Sequence, residues 1–121
     1  MSIERLDHYN VRTTDLDATV RFYTEALGLE LGYRPPFPFP GAWIYIGGVP
    51  VVHVACSEPI GSTGSGRINH VAFFGRDIGS FRDRLTSMGL TFRERTVPDQ
   101  SLQQIFIDDP NGVMVELNFE A

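Results

Sequence analysis

Several residue types are scarce or missing in this chain of 121 residues. It has no lysine and a single cysteine, Cys56. A lone cysteine excludes an intramolecular disulfide, which is typical of proteins of the reducing cytosol. The ten basic residues form no cluster, and 15 acidic residues bring the formal net charge to −5. A nucleic-acid binder usually has a basic face, so we expect a small molecule as partner and no nucleic acid.

Long apolar runs are also absent. No run approaches the roughly 20 residues that span a membrane, and residues 1–5 lack the apolar core of a signal peptide. Hydrophobic residues make up 42% and charged residues 21% of the chain, as in ordinary globular domains. We therefore expect one cytoplasmic domain over residues 1–121, without membrane association.

The chain repeats itself, because segments of the first half find similar segments about 62 residues later. The aligned pairs are His8–Val11 with His70–Phe73, Asp15 with Asp77, Gly28 with Gly89, and His53 with Glu116. The offset is 62 at the first two pairs, 61 at the third and 63 at the fourth. This near-constant offset predicts two copies of one structural unit, with one residue gained or lost within a helix.

Each copy is predicted to contain a strand, a helix and three further strands. The helix follows an N-capping aspartate, Asp15 or Asp77, and stops at Gly28 or Gly89. Strands are predicted near residues 6–11, 29–34, 42–46 and 51–56, and again near 69–74, 91–95, 103–107 and 113–119. The fold class is therefore α+β, with two βαβββ modules at about residues 3–58 and 67–121.

Two segments lie outside these elements. Residues 59–66 are rich in glycine and serine, which predicts a flexible linker between the modules. Residues 34–41 contain four prolines, which exclude a helix or a central strand and predict a loop over the sheet. The aromatic rings of this loop, Phe37 and Phe39, either line a pocket or pack against the sheet.

The three histidines and one glutamate share a face of the predicted strands. Side chains alternate between faces, and the apolar residues beside these four fall on the face that should pack under the helices. The polar faces that carry His8, His53, His70 and Glu116 should therefore look the same way. One histidine in a strand is usually structural, but a carboxylate in the apolar stretch V-M-V-E-L needs a partner.

Imidazole and carboxylate groups are ligands of divalent metal ions. Four such groups at symmetric strand positions predict one divalent ion per site, which could be Zn, Ni, Co, Fe or Mn. The predicted metal ligands are His8, His53, His70 and Glu116.

At this point the sequence resembles the vicinal oxygen chelate superfamily, which includes glyoxalases, bleomycin resistance proteins and extradiol dioxygenases. The matching motifs are D-H-Y-N-V-R at 7–12, F-Y at 22–23, L-G-L at 27–29, N-H-V-A-F at 69–73, D-P-N-G at 109–112 and V-E-L at 115–117. The resemblance covers nearly the whole chain. It implies that the two modules form an incomplete mixed-sheet barrel around the metal site, and that the protein is a homodimer.

The resemblance also implies roles for single residues. His8, His70 and Glu116 match the shared metal ligands, while His53 stands where glyoxalase I usually has a glutamate ligand and is a fourth ligand or a base. Arg12 matches an arginine that holds a glutathione carboxylate in bacterial glyoxalase I, although an exposed arginine at a strand end fits equally well.

Two aromatic residues of the third strand are further candidates for substrate binding. Strand alternation predicts that Trp43 and Tyr45 share the face of His53. They serve either an aromatic ligand pocket, together with Phe37 and Phe39, or ordinary core packing.

In this superfamily the metal chelates two neighbouring substrate oxygens and stabilises an enolate or similar oxyanion. The resemblance implies a glyoxalase-like lyase or isomerase with Glu116 and His53 as catalytic residues, acting on a small substrate such as a thiol conjugate. Two histidines and a carboxylate also form the facial triad of an extradiol-type non-haem iron dioxygenase. A non-catalytic antibiotic-binding protein is a third alternative, which the full ligand set disfavours. Thiol transfer to fosfomycin is a fourth, weakened by the few cationic side chains that could hold a phosphonate.

Overall fold

The structure, a computed structural model, describes residues 1, 4–57, 66, 68, 70–97 and 101–120. The chain forms two compact units, Met1–Pro59 and Ile60–Ala121. Apart from Gly66, the predicted linker lies outside the described residues. No helix among the described residues combines the length and the apolar character needed to cross a membrane.

Unit 1 is a four-stranded mixed sheet with one helical segment. Its elements are β1 (Tyr9–Thr13), α1 (Leu16–Arg21), a π-helical segment (Phe22–Ala26), β2 (Glu30–Gly32), β3 (Gly41–Ile46) and β4 (Val49–Cys56). The strand order is β1-β4-β3-β2. β1 runs parallel to β4, and the other neighbours are antiparallel.

Unit 2 has the same topology. Its elements are β5 (Val71–Phe74), α2 (Ile78–Ser87), β6 (Arg93–Val97), β7 (Leu102–Asp108) and β8 (Met114–Glu120), with strand order β5-β8-β7-β6. Again the first strand is parallel to the last, and the other pairs are antiparallel. The predicted α+β class with two βαβββ modules is confirmed.

Both helices begin at the predicted aspartates. The Asp15 carboxylate accepts a hydrogen bond from the Ala18 backbone N–H at 3.1 Å, and the Asp15 N–H donates to Thr13 Oγ1 at 2.9 Å. The fully buried Thr19 donates to the same Thr13 hydroxyl at 3.0 Å. The two bonds to Thr13 tie the start of α1 to the end of β1, and the Asp15 carboxylate satisfies an amide that has no partner within the helix.

α1 continues directly into the π-helical segment, which carries much of the buried surface of this helix. Phe22, Tyr23 and Ala26 are buried there. The Tyr23 hydroxyl accepts a hydrogen bond from the Tyr9 hydroxyl at 3.1 Å, which links the segment to β1. Gly28, at φ +80°, ends the helix as predicted.

One face of each sheet is apolar and buried. In unit 1 this face carries Val11, Ile44, Val52 and Val54, and in unit 2 it carries Ile105, Ile107, Val115, Leu117 and Phe119. α1 packs on β3 and β4, and the α2 ring of Phe81 lies 5.4 Å from that of Phe119. Burying each such side chain contributes about 1.5–3 kcal/mol to folding. The apolar face therefore stabilises each unit by itself, and polar residues lie on the opposite face.

The D-P-N-G motif forms the turn before β8. Asp109 is buried, and its Oδ1 accepts hydrogen bonds from the backbone N–H groups of Asn111 at 2.8 Å and Val113 at 2.9 Å. Gly112 adopts φ +82°, which a side chain would disfavour. The motif therefore fixes the start of the strand that carries Glu116.

Some strand bounds differ from the predicted ones. β1 begins at Tyr9 and β5 at Val71, so His8 and His70 lie immediately before their strands rather than within them. Tyr9 pairs with Val52, and beyond this point β4 has a bulge that interrupts the regular ladder. The edge strands also differ from their predicted bounds. β2 covers Glu30–Gly32 instead of 29–34, and β6 covers Arg93–Val97 instead of 91–95. An edge strand has one neighbour, so its length is set by how far that neighbour pairs with it.

Candidate functional site

The polar face of unit 1 carries two of the predicted residues, His53 and Trp43, in one row. His53 on β4 pairs with Asn10 on β1 and with Trp43 on β3, so all three side chains lie on the face opposite Val52. Arg12 is exposed two residues beyond Asn10 and has the same parity. The strand faces predicted for His53, Arg12 and Trp43 agree with this register.

Three aromatic rings are stacked on this face. The His53 imidazole lies between the His8 imidazole, at 3.7 Å and 13° between planes, and the Trp43 indole, at 3.9 Å and 10°. The structure therefore brings the predicted residues His8 and His53 together and adds Trp43 to them.

One nitrogen of His53 has no partner among the described residues. Its Nε2 is buried and makes no hydrogen bond, while the ring bonds to the backbone of Pro50. A carbonyl can only accept, so the bonded nitrogen carries the proton and Nε2 of the neutral ring keeps its lone pair. Burial lowers the pKa of His53, and the neighbouring His8 lowers it further. A buried acceptor without a partner costs about 1–3 kcal/mol, so this atom is suited to a ligand.

His8 is exposed and is oriented by its neighbour. Its Nδ1 lies 2.7 Å from Asp7 Oδ2, and this hydrogen bond lowers the pKa of Asp7. Metal-binding histidines commonly have their second ring nitrogen held by a carboxylate in this way. Because Asp7 contacts Nδ1, Nε2 is the nitrogen of His8 that could bind a metal.

The aromatic loop lies beside Trp43. The Phe37 ring is 6.3 Å from the Trp43 ring and is stacked at 5.7 Å on Phe39. The Arg34 guanidinium lies about 5 Å from both phenyl rings, and its Nη2 donates to the Phe39 carbonyl at 3.0 Å. The loop predicted at residues 34–41 thus extends the aromatic surface next to His53.

Tyr45 lies at the other end of this surface. Its hydroxyl donates to the Tyr33 carbonyl, and its ring covers Gly32, where an added Cβ would lie 2.6 Å from Tyr45 Cε1. The glycine provides the space for the ring on this face of the sheet.

The polar face of unit 2 carries the second candidate pair. His70 Nε2 lies 3.4 Å from Glu116 Oε1, and the Glu116 side chain is 12% exposed against 39% for His70. The structure therefore brings these two predicted residues together.

A chain of hydrogen bonds orients Glu116. Asn118 Nδ2 donates to Glu116 Oε2 at 2.7 Å, and Gln104 Nε2 donates to Asn118 Oδ1 at 2.9 Å. Arg95 Nε in turn donates to Gln104 Oε1 at 2.9 Å. Each amide accepts from one neighbour and donates to the next, so the chain fixes Oε2 and leaves Oε1 facing His70.

A cavity of about 520 Å³ lies on this face, lined by His70, Arg93, Glu94, Arg95, Phe106, Met114 and Glu116. Sequence reasoning missed Arg93, Arg95, Gln104 and Phe106 as candidate residues. Arg93, Phe106 and Glu116 pair in one row across β6, β7 and β8. The sequence does show alternation in R-E-R at residues 93–95 and Q-I-F at residues 104–106. That alternation says which residues of one strand share a face, but only the register between strands shows that this is the face of Glu116.

Each unit thus brings together two of the four predicted metal ligands. Taken by itself, neither unit groups three described His, Cys, Asp or Glu residues so that they could hold an ion. The donor set nevertheless fits a divalent metal, since His8 is held by a carboxylate and Glu116 is held by an amide. That all these residues serve one ion stays a prediction.

Comparison with known proteins relates the chain to one family. Residues 5–117 match the model of the Glyoxalase/Bleomycin resistance protein/Dioxygenase superfamily. The chain is 28% identical to an ethylmalonyl-CoA/methylmalonyl-CoA epimerase from Cereibacter sphaeroides, over 95% of this chain and 97% of that protein.

Solved structures have the same fold. A glyoxalase family protein from Bacillus anthracis matches with a TM-score of 0.81 and 21% identity, over 100% of this chain and 98% of the other. The fosfomycin resistance protein FosX from Listeria monocytogenes matches with a TM-score of 0.78 and 19% identity, over 99% and 96%. With its family match and its two βαβββ modules, the chain belongs to the glyoxalase/bleomycin resistance protein/dioxygenase superfamily.

Proposed function

We propose that this protein is a divalent-metal-dependent lyase or isomerase of glyoxalase type. Its substrate is a small molecule with two neighbouring oxygens, and its reaction moves a proton at the carbon beside a carbonyl. The observation that carries this proposal is that equivalent positions of the duplicated unit each bring a histidine beside a second group that can take a proton, His8 with His53 and His70 with Glu116.

In this proposal His8, His70 and Glu116 hold the ion. A divalent metal bound there would attract the substrate oxygens and stabilise the negative charge that develops when the proton leaves. The supporting contacts are the Asp7 hydrogen bond to His8 and the Asn118 hydrogen bond to Glu116. Such supporting groups orient ligand side chains and raise their affinity for a metal.

Glu116 is also the proposed proton acceptor, a role in which its Oε1 would leave the metal to bind the substrate proton. Its Oε2 is occupied by Asn118, while Oε1 faces His70 in a cavity large enough for a small molecule. A carboxylate with one fixed oxygen and one oxygen facing the cavity is suited to take a proton and return it.

His53 is proposed as a second base rather than a fourth ligand. An imidazole binds a metal in the plane of its ring at about 2.0–2.1 Å. Two nearly parallel rings 3.7 Å apart cannot both direct their lone pairs at one ion. The unpartnered Nε2 of His53 is instead available to a proton of the substrate.

The isomerase part of the proposal is supported by the relative from Cereibacter sphaeroides, which is an epimerase of ethylmalonyl-CoA and methylmalonyl-CoA. Epimerisation inverts one carbon centre, and removal and return of a proton beside a carbonyl is a direct route to it. The expected cytoplasmic homodimer is part of the same proposal, and light scattering of the purified chain tests the dimer.

The first experiment measures metal content after purification without chelator. We expect roughly one ion per chain, and His70→Ala and Glu116→Gln should each lower the affinity for Mn²⁺ or Zn²⁺ at least about tenfold. Glu120→Gln, an exposed change on the same strand, is the matched control. His53→Ala should retain the metal; a loss equal to that of His70→Ala would make His53 a ligand. A wild-type chain that takes up no Zn, Ni, Co, Fe or Mn would refute the metal site.

The second experiment identifies the reaction. Metal-loaded protein is incubated in D₂O with a 2-methylmalonyl thioester, and with the hemithioacetal of methylglyoxal and glutathione. Deuterium incorporation or isomerisation that Glu116→Gln abolishes supports the proposal. Oxygen uptake on catechols would instead favour a dioxygenase, and tight antibiotic binding without turnover would favour a resistance protein.

A further inference from the structure

Two arginines line the cavity of unit 2 beside the proposed reacting residues. Arg93 and Arg95 alternate with Glu94 on β6, so both lie on the face of Glu116. The central carbon of each guanidinium lies 5.3 Å from the centre of the Phe106 ring. Two exposed positive charges therefore share one aromatic side chain at the edge of the cavity.

Within the described part of the chain, no carboxylate neutralises either charge. No ion pair to a described acidic residue involves Arg93 or Arg95, and Glu94 between them instead pairs with Arg82 at 2.8 Å. Arg95 Nε donates to the neutral amide oxygen of Gln104. In a chain with a net charge of −5, these two arginines concentrate positive charge on one wall of the cavity.

The contact with the Phe106 ring does not by itself explain why two arginines lie there. An exposed guanidinium on an aromatic ring gains only about 0.5–1 kcal/mol, and one arginine would cover the ring. Two like charges on neighbouring positions of one face repel each other. A negatively charged group between them removes that repulsion, and guanidinium forks match the geometry of carboxylate and phosphate oxygens.

We infer that Arg93 and Arg95 bind an oxyanion group of the substrate, a carboxylate or a phosphate, beside His70 and Glu116. The inference rests on the proposed function in taking His70 and Glu116 as the place of reaction. Arg93 and Glu116 lie two strands apart, which corresponds to about 10 Å between backbones. Arginine side chains shorten this span, so the oxyanion lies a few bonds from the reacting carbon. The substrate class is a small acid or a phosphorylated carbonyl compound.

The test measures binding of two simple probes, inorganic phosphate and malonate, to the full chain. Titration calorimetry compares the wild type with Arg93→Gln, Arg95→Gln and the double variant, with and without chelator. Arg84→Gln is the matched control, because Arg84 also lies over a phenyl ring, that of Phe81 at 5.4 Å, but does not line the cavity. Binding should weaken at least about tenfold in the double variant, stay unchanged in the control, and weaken as salt rises.

Amide NMR shifts locate the bound probe. Shifts confined to β6, β7 and residues around Glu116 support the inference, and the tighter of the two probes identifies the oxyanion. Unchanged affinity in a folded double variant, or shifts centred on α2 instead, would overturn it. Binding of a probe to chelator-treated protein does not need a metal. The arginines can therefore prove to bind an oxyanion even if the protein binds no metal, and the metal site can be correct even if the arginines bind no oxyanion.

Discussion

Asn118 holds one oxygen of Glu116 and leaves the other to His70. The Asn118 amide lies 2.7 Å from Glu116 Oε2, while His70 Nε2 lies 3.4 Å from Oε1. The two carboxylate oxygens are thereby made inequivalent. Because Gln104 fixes the Asn118 amide in turn, the orientation of Glu116 depends on a residue of another strand.

We predict that Asn118→Leu and Gln104→Leu weaken the affinity for Mn²⁺ or Zn²⁺ by about tenfold or more, the usual effect of losing a group that orients a ligand. The matched control is Gln103→Leu, which changes the same residue type on the opposite face of β7. Metal titration measures all three variants. Equal affinities in Gln104→Leu and Gln103→Leu would show that the hydrogen-bond chain does not reach Glu116.

Trp43→Leu should raise the pKa of His53. The pKa of this histidine lies below its ordinary value of 6.5, mainly because the ring is buried. The stacked indole of Trp43 contributes to that burial, so its loss lets water reach the imidazole and stabilises the charged form. NMR titration of the histidine Cε1 protons in chelator-treated protein measures the change. Trp43→Phe retains an aromatic ring and should shift the pKa less; a pKa that does not rise in Trp43→Leu would refute the explanation.

Asp77 should make stability depend on pH in the acid range. Hydrogen bonds from the side chain and the backbone N–H of Ser80 lower its pKa below 3.8. The folded state therefore favours the charged form, and this stabilisation is present above that pH and is lost as the pH falls through the lower folded value. Urea unfolding at several pH values below about 4 should show less loss of stability in Asp77→Asn than in the wild type.

Ser80→Ala tests the same prediction from the donor side. Without the Ser80 hydroxyl, the pKa of Asp77 should return toward its ordinary value, so the pH dependence should again weaken. Asp77 also adopts φ +66°, a conformation that asparagine tolerates better than most residues, so Asp77→Asn should fold normally. A variant with the same acid sensitivity as the wild type would contradict the assignment.

Gly32→Ala should destabilise unit 1. The new Cβ would lie 2.6–2.7 Å from the Tyr45 ring, so the ring must move and its hydrogen bond to Tyr33 is lost. We expect a loss of about 1–3 kcal/mol in the free energy of unfolding, measured by urea denaturation. Gly79→Ala in α2 is the control, because its Cβ meets nothing closer than 3.7 Å. Alanine favours a helix by up to about 1 kcal/mol over glycine, so the control should be neutral or stabilising.

Local patterns were sufficient to predict much of the fold. Asp15 and Gly28 bound the first helix because capping chemistry acts within a few residues of the chain. The prolines of residues 34–41 predicted the loop, and strand alternation placed Trp43 on the face of His53. These features depend on neighbours in sequence or on one strand alone.

Features that depend on register between strands could not be predicted in this way. Arg93 and Glu116 share a row only because β7 lies between them with Phe106 opposite both. The ring stack of His8, His53 and Trp43 likewise requires the order β1-β4-β3. No periodicity within one strand indicates which residue of another strand will face it, so the arginines of the cavity were overlooked.

The π-helical segment accounts for the change of offset between the two halves of the chain. From N-cap to stop glycine, unit 1 spans residues 15–28 and unit 2 spans 77–89, so the first helix is one residue longer. A π-helical turn accommodates one inserted residue within an α-helix, and the only one among the described residues lies in the longer helix. The insertion is absorbed there, so that both copies keep the same order of strands. The two halves can therefore differ in helix length and still carry His53 and Glu116 on equivalent strands, β4 and β8. A duplicated unit can in this way diverge in sequence and keep the positions of its candidate site residues.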